Sequence, residues 1–469
     1  MNAFWQDLCC GACMARSFNL IVVFTRAFGR RSLHLRCLLL AATVVVSFTV
    51  VRGQEPALNL KLAEQYFREA QALCERDQGR LWGVSLCGPM LFAEAAARVV
   101  VANQPDKEGR LHNTGAVFTG TLPPEVAIAN TALNWAGVKW TMVMWPLPEE
   151  KRERARLMAH ELFHRIQEAR KLAATDAVNP HLDQKDGRIW LRLEWRALER
   201  ALQEQGAARK LAATDALVFR RYRQSLFPPS ASKEFALETN EGLAEYTGLK
   251  LSTRSLGELS ALAAYALRQF HRRPSYARSF AYATGPAYGA LLDAAGTDWR
   301  PRIKTGDDVS ALLRQALVLK LPTDLAAQAA ARAAQYDGEE VIAFETTRDA
   351  TRKQQLEKYR ALLVDGPVLA LPIGDSFNYS YNPNNLVSLD DGTTVYPTAR
   401  ITDDWGVLEV SSGVLMSRTG GRITRLQVAA PAASEAHPLQ GNGWKLELKD
   451  GWTLAPGERS GDFVLRKTQ

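Results

Sequence analysis

The chain has 469 residues, 46% hydrophobic and 23% charged, long enough for a large buried core in two or three domains and too apolar for an extended disordered protein. Its formal net charge is +8, but residues 1–53 hold six Arg and one Asp, so +5 lies there and +3 remains for the rest. That remainder is too small to point to a nucleic-acid partner.

The N-terminal segment reads as a signal for export. Arg30, Arg31 and Arg36 precede fifteen residues, 37–51, that carry no charge. This is the length of a cleaved signal's apolar stretch and is short of the about 20 residues of a spanning helix, so residues 1–53 are expected to be a signal peptide, with a membrane anchor as the alternative. The expected location is periplasmic or extracellular. Of six cysteines, Cys9, Cys10, Cys13 and Cys37 fall in this segment, leaving Cys74 and Cys87. In an exported chain that pair is a candidate disulfide, and two buried thiols are the other reading.

Residues 54–150 read as an α/β part. Apolar positions recur at helical spacing over 58–75, then Gly79, Gly83, Gly88 and Pro89 break the chain. The β-branched and aromatic runs at 98–102 and 139–145 predict strands, the second stopped by Pro146 and Pro148. Glu149 and Glu150 follow, where acids favour a helix start. Residues 151–335 are predominantly helical in pattern, and a charged stretch over 346–363 predicts a linking helix within 336–365. From 366 to 469 the pattern changes to short alternating runs with the turn dipeptides Asp391–Gly392, Gly420–Gly421 and Asp450–Gly451. Trp444, Leu446 and Leu448 alternate before the last of these and Trp452 and Leu454 after it. The fold class expected is α+β: an α/β part, a mainly helical part, and a small antiparallel β domain. One nonapeptide, ARKLAATDA, occurs twice, at 169–177 and 208–216, and each copy's Thr-Asp is a candidate cap for a following helix.

The chemistry concentrates in LMAHELFHRIQ, residues 157–167. His160 and His164, four apart on a helix, project from one face and can reach one tetrahedral ion, while Glu161 points beside it toward an attacking water. Leu157, Leu162 and Ile166 would seat the helix in a core. A hydrolytic metal site usually takes three protein ligands. Glu238, Glu241 and Glu245 follow at helical spacing on one expected face. Glu241 is the candidate third ligand, and Glu245, one turn later, is positioned to accept the free N–H of a ligand histidine. His181 is the competing third ligand, and His112, His271 and His437 read as surface residues.

HELFH followed by NEGLAEY at 240–246 resembles the gluzincin metallopeptidases, in particular the aminopeptidase N and leukotriene-A4 hydrolase group. The resemblance covers little more than these segments. It implies a zincin-like catalytic domain, Zn2+ on His160, His164 and Glu241, Glu161 as general base, and a peptide or protein substrate. It also implies a transition-state tyrosine in a YxxG pattern. Tyr282 of SFAYATGPAY, residues 279–288, is the candidate, with Tyr276 and Tyr288 as alternatives. The chain departs from the resembled pattern in three places. Between His164 and Glu241 lie 76 residues, Arg165-Ile-Gln-Glu stands where a tryptophan and a glycine are expected, and no GxMEN segment precedes the helix. The strand ending at Trp145 is therefore read as a site where an extended peptide pairs along a sheet edge. A non-catalytic exported zinc-binding or envelope-associated interaction protein is the alternative from another class.

Overall fold

In the computed structural model the described residues are 58–469, except 124–125, 173–174, 176, 382–385, 391–392, 420–421, 434–437 and 469. The signal segment, the Asp391–Gly392 and Gly420–Gly421 turns and His437 lie outside them. The chain is α+β, with helices concentrated between residues 151 and 360. No helix among the described residues is long and apolar enough to cross a membrane.

Helix α1 (Leu60–Asp77) buries one stripe, Tyr66, Phe67, Ala70, Leu73 and Cys74, against a six-stranded sheet. The strands are β1 (Met90–Glu94), β2 (Val99–Ala102), β3 (His112–Asn113), β4 (Phe118–Thr121), β5 (Thr131–Trp135) and β6 (Val138–Trp145). Their order is β3-β4-β2-β1-β6-β5, with β1 and β6 parallel and every other pair antiparallel. Because side chains alternate across a strand, Phe92 and Val143 enter the core shared with the helices while Leu91 and Met142 enter a second one beneath the loops. The strand ending at Trp145 is not an edge: β6 is paired on both sides, and the edge belongs to β5. A two-residue turn joins the two, with Ala136 and Gly137 both at positive φ, the twist that a tight hairpin needs. Cys74 and Cys87 form a disulfide that fixes the end of α1 to the segment leading into β1.

The helical part runs from α2 (Lys151–Ile166) through α3 (Lys185–Gln203), α4 (Gly206–Leu226), α5 (Ala231–Leu237), α6 (Leu243–Ser252), α7 (Leu256–Phe270), α8 (Ala281–Ala294), α9 (Val309–Ala316) and α10 (Leu325–Ala333). Between α5 and α6 lies one π-helical turn, Glu238–Gly242. Helix α11 (Gly338–Arg360) then carries the chain across to a terminal module. Its first half is tied down by Glu345, which accepts from Arg188 and Arg192 of α3. Near its other end Tyr359 packs with Val395 and Leu415 of the module.

The module is a pair of sheets sharing one core. In chain order its strands are β7 (Val368–Ala370), β8 (Asn378–Tyr381), β9 (Val387–Asp390), β10 (Thr393–Tyr396), β11 (Ala399–Asp403), β12 (Gly406–Val410), β13 (Val414–Thr419), β14 (Arg422–Ala429), β15 (Leu439–Gly441), β16 (Trp444–Leu448), β17 (Trp452–Pro456) and β18 (Phe463–Lys467). Seven strands are ordered β17-β18-β7-β14-β13-β10-β9 and five β15-β16-β12-β11-β8, with Leu369, Met416 and Leu426 from one sheet meeting Ile401, Leu408 and Leu446 from the other. The strands pair antiparallel except β7 (Val368–Ala370) with β18 (Phe463–Lys467). Asp450–Gly451 does not close a hairpin. β16 (Trp444–Leu448) and β17 (Trp452–Pro456) belong to different sheets, so this turn carries the chain from one layer to the other.

His271, expected on the surface, is half-buried. Its ring packs edge-on against Trp195, its Nδ1 accepts from Arg192, and burial together with the neighbouring guanidiniums lowers its pKa to about 3. His112 is exposed in β3.

Candidate metal centre

Helix α2 carries the HELFH segment. It starts where Glu150 caps the backbone N–H groups of Arg152 and Glu153. Its apolar side, Leu157, Met158, Leu162, Phe163 and Ile166, is buried, and Arg154 pairs with Glu69 of α1 at 2.8 Å. The helix is thus held from both sides, with His160 and His164 presented together on a third. Helix α6 comes close because Gly248 faces it: a Cβ there would lie 2.6 Å from the Arg156 carbonyl oxygen.

The structure brings His160, His164 and Glu241 together in a buried cluster that could hold a metal ion, and among the described residues this is the one such group of three or more. His160 Nε2 lies 3.0 Å from His164 Nε2, and Glu241 Oε2 lies 3.4 Å from the first and 3.5 Å from the second. The outer ring nitrogens are engaged. His160 Nδ1 is 3.0 Å from Glu245 Oε2, and His164 Nδ1 is 2.8 Å from Gln167 Oε1. An ionised carboxylate only accepts, so His160 carries a proton on Nδ1 and its neutral form turns a lone pair inward. Three acceptors this close need a positive charge among them.

Without a metal ion, a proton supplies that charge. Burial disfavours the charged ring of His160, but its bonds to Glu241 and Glu245 outweigh this and raise its pKa to about 10. Burial works the other way on Glu241, yet the His164 and His160 rings hold its carboxyl well below the usual range. Burial pushes the Glu161 carboxyl up against the pull of both histidines. Glu161, Glu241 and Glu245 face the two rings, and the nearby guanidinium of Arg156 is shared between Glu245 and Glu153. Glu161 Oε2 is buried and has no hydrogen-bond partner.

Tyr282 donates to Glu241 Oε2 at 2.5 Å, and its ring stacks on His160 with 5.7 Å between centroids. The YxxG glycine explains the approach: a Cβ on Gly285 would sit 2.3 Å from Gly242 Cα, so only glycine lets α8 lie against the π turn. The alternatives are engaged elsewhere, Tyr276 with the His271 carbonyl and Tyr288 with Glu194. His181 bonds Glu234 at 2.7 Å and is not part of the cluster.

Glu238 does not share a face with Glu241 and Glu245. The π turn is wider than an α-helical one and parts them, so Glu238 points to Arg220 of α4, which donates to both its oxygens. Sequence reasoning missed four contributors. Arg156 bonds the far oxygen of Glu245 at 2.5 Å, Gln167 and Asn240 lie behind two of the ligand side chains, and Arg220 fixes the turn. Asn240 sits inside NEGLAEY and Gln167 inside the departure at 165–168, so both were in view, but only the fold shows what they touch.

The cluster is sealed around His160, whose side chain is 1% exposed, and opens along the edge formed by His164 and Glu241, at 13% and 11%. A ligand beyond the protein's own would enter by that edge. No family model, curated protein or solved structure matches the chain, so what the cluster does is argued from its own geometry.

Proposed function

We propose that the chain is an exported zinc metallopeptidase with a zincin-like catalytic domain, akin to the gluzincins. The observation that carries this reading is the triangle of ligand atoms, with edges of 3.0, 3.4 and 3.5 Å, beside a carboxylate with a free oxygen. Ligands at the usual zinc distances in a tetrahedral array stand about 3.3 Å apart, so His160, His164 and Glu241 fit that ion. Zinc held there supplies a Lewis acid for the scissile carbonyl and the attacking water. Glu161 takes the water's proton at Oε2 and returns it to the leaving amine. Tyr282, beside Glu241, turns its hydroxyl to the developing oxyanion. Glu245 and Arg156 hold the tautomer of His160. An extended peptide adds alongside β5, the sheet edge next to α2.

Export accounts for the charge-free stretch at 37–51 after three arginines, and for the Cys74–Cys87 disulfide, which persists in oxidising compartments. The competing reading, a zinc-binding interaction protein without activity, calls for a fourth protein ligand that closes the site. His181, the nearest candidate in sequence, is committed to Glu234.

The test compares wild type with Glu161→Gln for bound zinc and for cleavage of a peptide library. Both should hold one zinc per chain, and the variant should lose about 10²- to 10⁴-fold in kcat/KM. Full hydrolysis by the variant removes Glu161 as the base, and a wild type that binds zinc but cuts nothing favours the interaction protein.

A further inference from the structure

We propose that Gln167 and Asn240 are positioning residues that join two metal ligands through one continuous amide relay. His164 Nδ1 meets Gln167 Oε1 at 2.8 Å, Gln167 Nε2 donates to Asn240 Oδ1 at 3.0 Å, and Asn240 Nδ2 donates to Glu241 Oε1 at 3.1 Å. The inference rests on the metal-binding part of the reading above and not on the reaction.

The direction of the relay is forced from one end. Glu241 is ionised and only accepts, so Asn240 must present its NH2 group. That leaves the Asn240 oxygen facing Gln167, which must present its own NH2, and the Gln167 oxygen then faces His164. The Nδ1 of His164 therefore carries the proton, and Nε2 keeps its lone pair for the ion. Both amides are buried, Gln167 at 2% and Asn240 at 5% exposure, so no solvent competes to reverse either one.

The other histidine is held separately. His160 is backed by the Glu245 carboxylate, whose second oxygen bonds Arg156. One ligand thus has a charged, independent support, while the other two share a neutral one. The tryptophan and glycine of the resembled pattern are absent at 165–168, and the residue three places after His164 is the one that starts the relay. A shared support has a measurable signature. Glu241 keeps its bond from Tyr282 in either variant, but cutting the relay at one amide removes what orients the other, so the second cut should add little.

The experiment measures the Zn2+ dissociation constant of the full chain by competition with a chelator of known affinity. The proteins are wild type, Gln167→Met, Asn240→Leu and the double variant. Each single variant should bind zinc about 10- to 100-fold more weakly, the range for lost support behind a ligand. The double variant should stay within about threefold of the weaker single. Single variants within twofold of wild type would overturn the proposal, as would a double variant showing the full product of the two losses. The cobalt-loaded proteins give a second readout, because a shifted d–d absorption band in the variants reports altered ligand geometry even where the fold is kept. A measurement without any mutation covers variants that fail to fold: in zinc-loaded wild type, the 15N spectrum of His164 should show a slowly exchanging proton on Nδ1. A proton-free Nδ1 would sink the relay. A wild type that takes up no zinc would instead sink the metal reading itself, so the two failures are distinct.

Discussion

Two buried ionic clusters sit at opposite ends of the π turn Glu238–Gly242, and they have been completed in different ways. On one side Glu194, Glu234 and Glu238 meet Arg220 and Arg223, all with side chains at 0% exposure. Both oxygens of each carboxylate accept a hydrogen bond, from the guanidiniums and from His181, Gln224 and Tyr288. On the other side the rings of His160 and His164 face Glu241, and Glu161 has an oxygen with no partner. In the first cluster every carboxylate oxygen is met by a donor of the protein, and the one partnerless atom there, Arg220 Nε, is a donor rather than an acceptor. The second is left short of positive charge at its centre, which is what separates a place that binds something from a place that only holds the fold. The cost of such incompleteness is carried by its neighbour: Arg220 fixes Glu238, and three residues later Glu241 is fixed as well.

The largest effect that would break this contrast is loss of a guanidinium. Arg220→Met leaves Glu238 and one side of Glu194 buried without a counter-charge, and removing one partner of a buried pair costs about 3–5 kcal/mol. Urea denaturation of the metal-free chain should show that loss. His164→Ala should abolish tight zinc binding while leaving metal-free stability much closer to wild type. Equal destabilisation by the two substitutions would mean that both clusters are structural.

A second test uses pH. In the metal-free chain the His160 pKa is about 10, above its unfolded value of about 6.5. A raised folded pKa gives stability that is fully present below the unfolded value and disappears as pH rises through the folded one. The metal-free protein should therefore lose a few kcal/mol between about pH 7 and 10. Zinc already requires deprotonated imidazoles, so the loaded protein should not show this loss. The acid side does not discriminate. Burial opposes ionisation of Glu234, but Arg223 and His181 outweigh it and lower its pKa, and Glu241 is also held low, so both clusters lose stability as pH falls below the unfolded carboxylate value. An alkaline slope that persists with zinc bound would place the titrating group outside the metal cluster.

What was legible in the sequence was short-range. His160, Glu161 and His164 lie within five residues on one helix, and Glu241 and Glu245 are one turn apart, so spacing alone proposes their faces. Glu238 was misread because the same spacing logic assumes an α-helix, and nothing in Glu-Thr-Asn-Glu-Gly announces a π turn. Arg220 and Gln167 were invisible for a different reason: their roles depend on segments 18 and 73 residues away meeting in the core. The duplicated nonapeptide makes the point most directly. At 208–216 it lies wholly inside α4, with Asp215 buried against Arg332 and Tyr336, so its Thr-Asp caps nothing. At 169–172 the same residues form a turn after α2, where Lys171 adopts φ +56°, while Asp176 lies outside the described residues. Identical local preference gives two outcomes because the partners differ. The module's strands were readable from alternation, but their division into two sheets, with β16 and β17 apart, is a property of the packed core.

The smallest and sharpest test compares two glutamines, one in each cluster. Gln224 donates to Glu234 Oε2 at 3.2 Å and accepts from Arg221 at 2.8 Å. Glu234 also accepts from Arg223 and His181, so Gln224→Leu removes one donor among several. It should cost about 1 kcal/mol of stability and leave zinc affinity unchanged, because nothing at that end of the turn is waiting for a cation. Gln167→Met removes a similar amide at a similar depth, yet its effect should appear in the zinc dissociation constant more than in the metal-free denaturation midpoint. Both variants can be measured in one series of urea titrations with and without zinc. If the two substitutions move stability and affinity in the same proportion, the clusters are energetically one unit and the division of labour between them is lost.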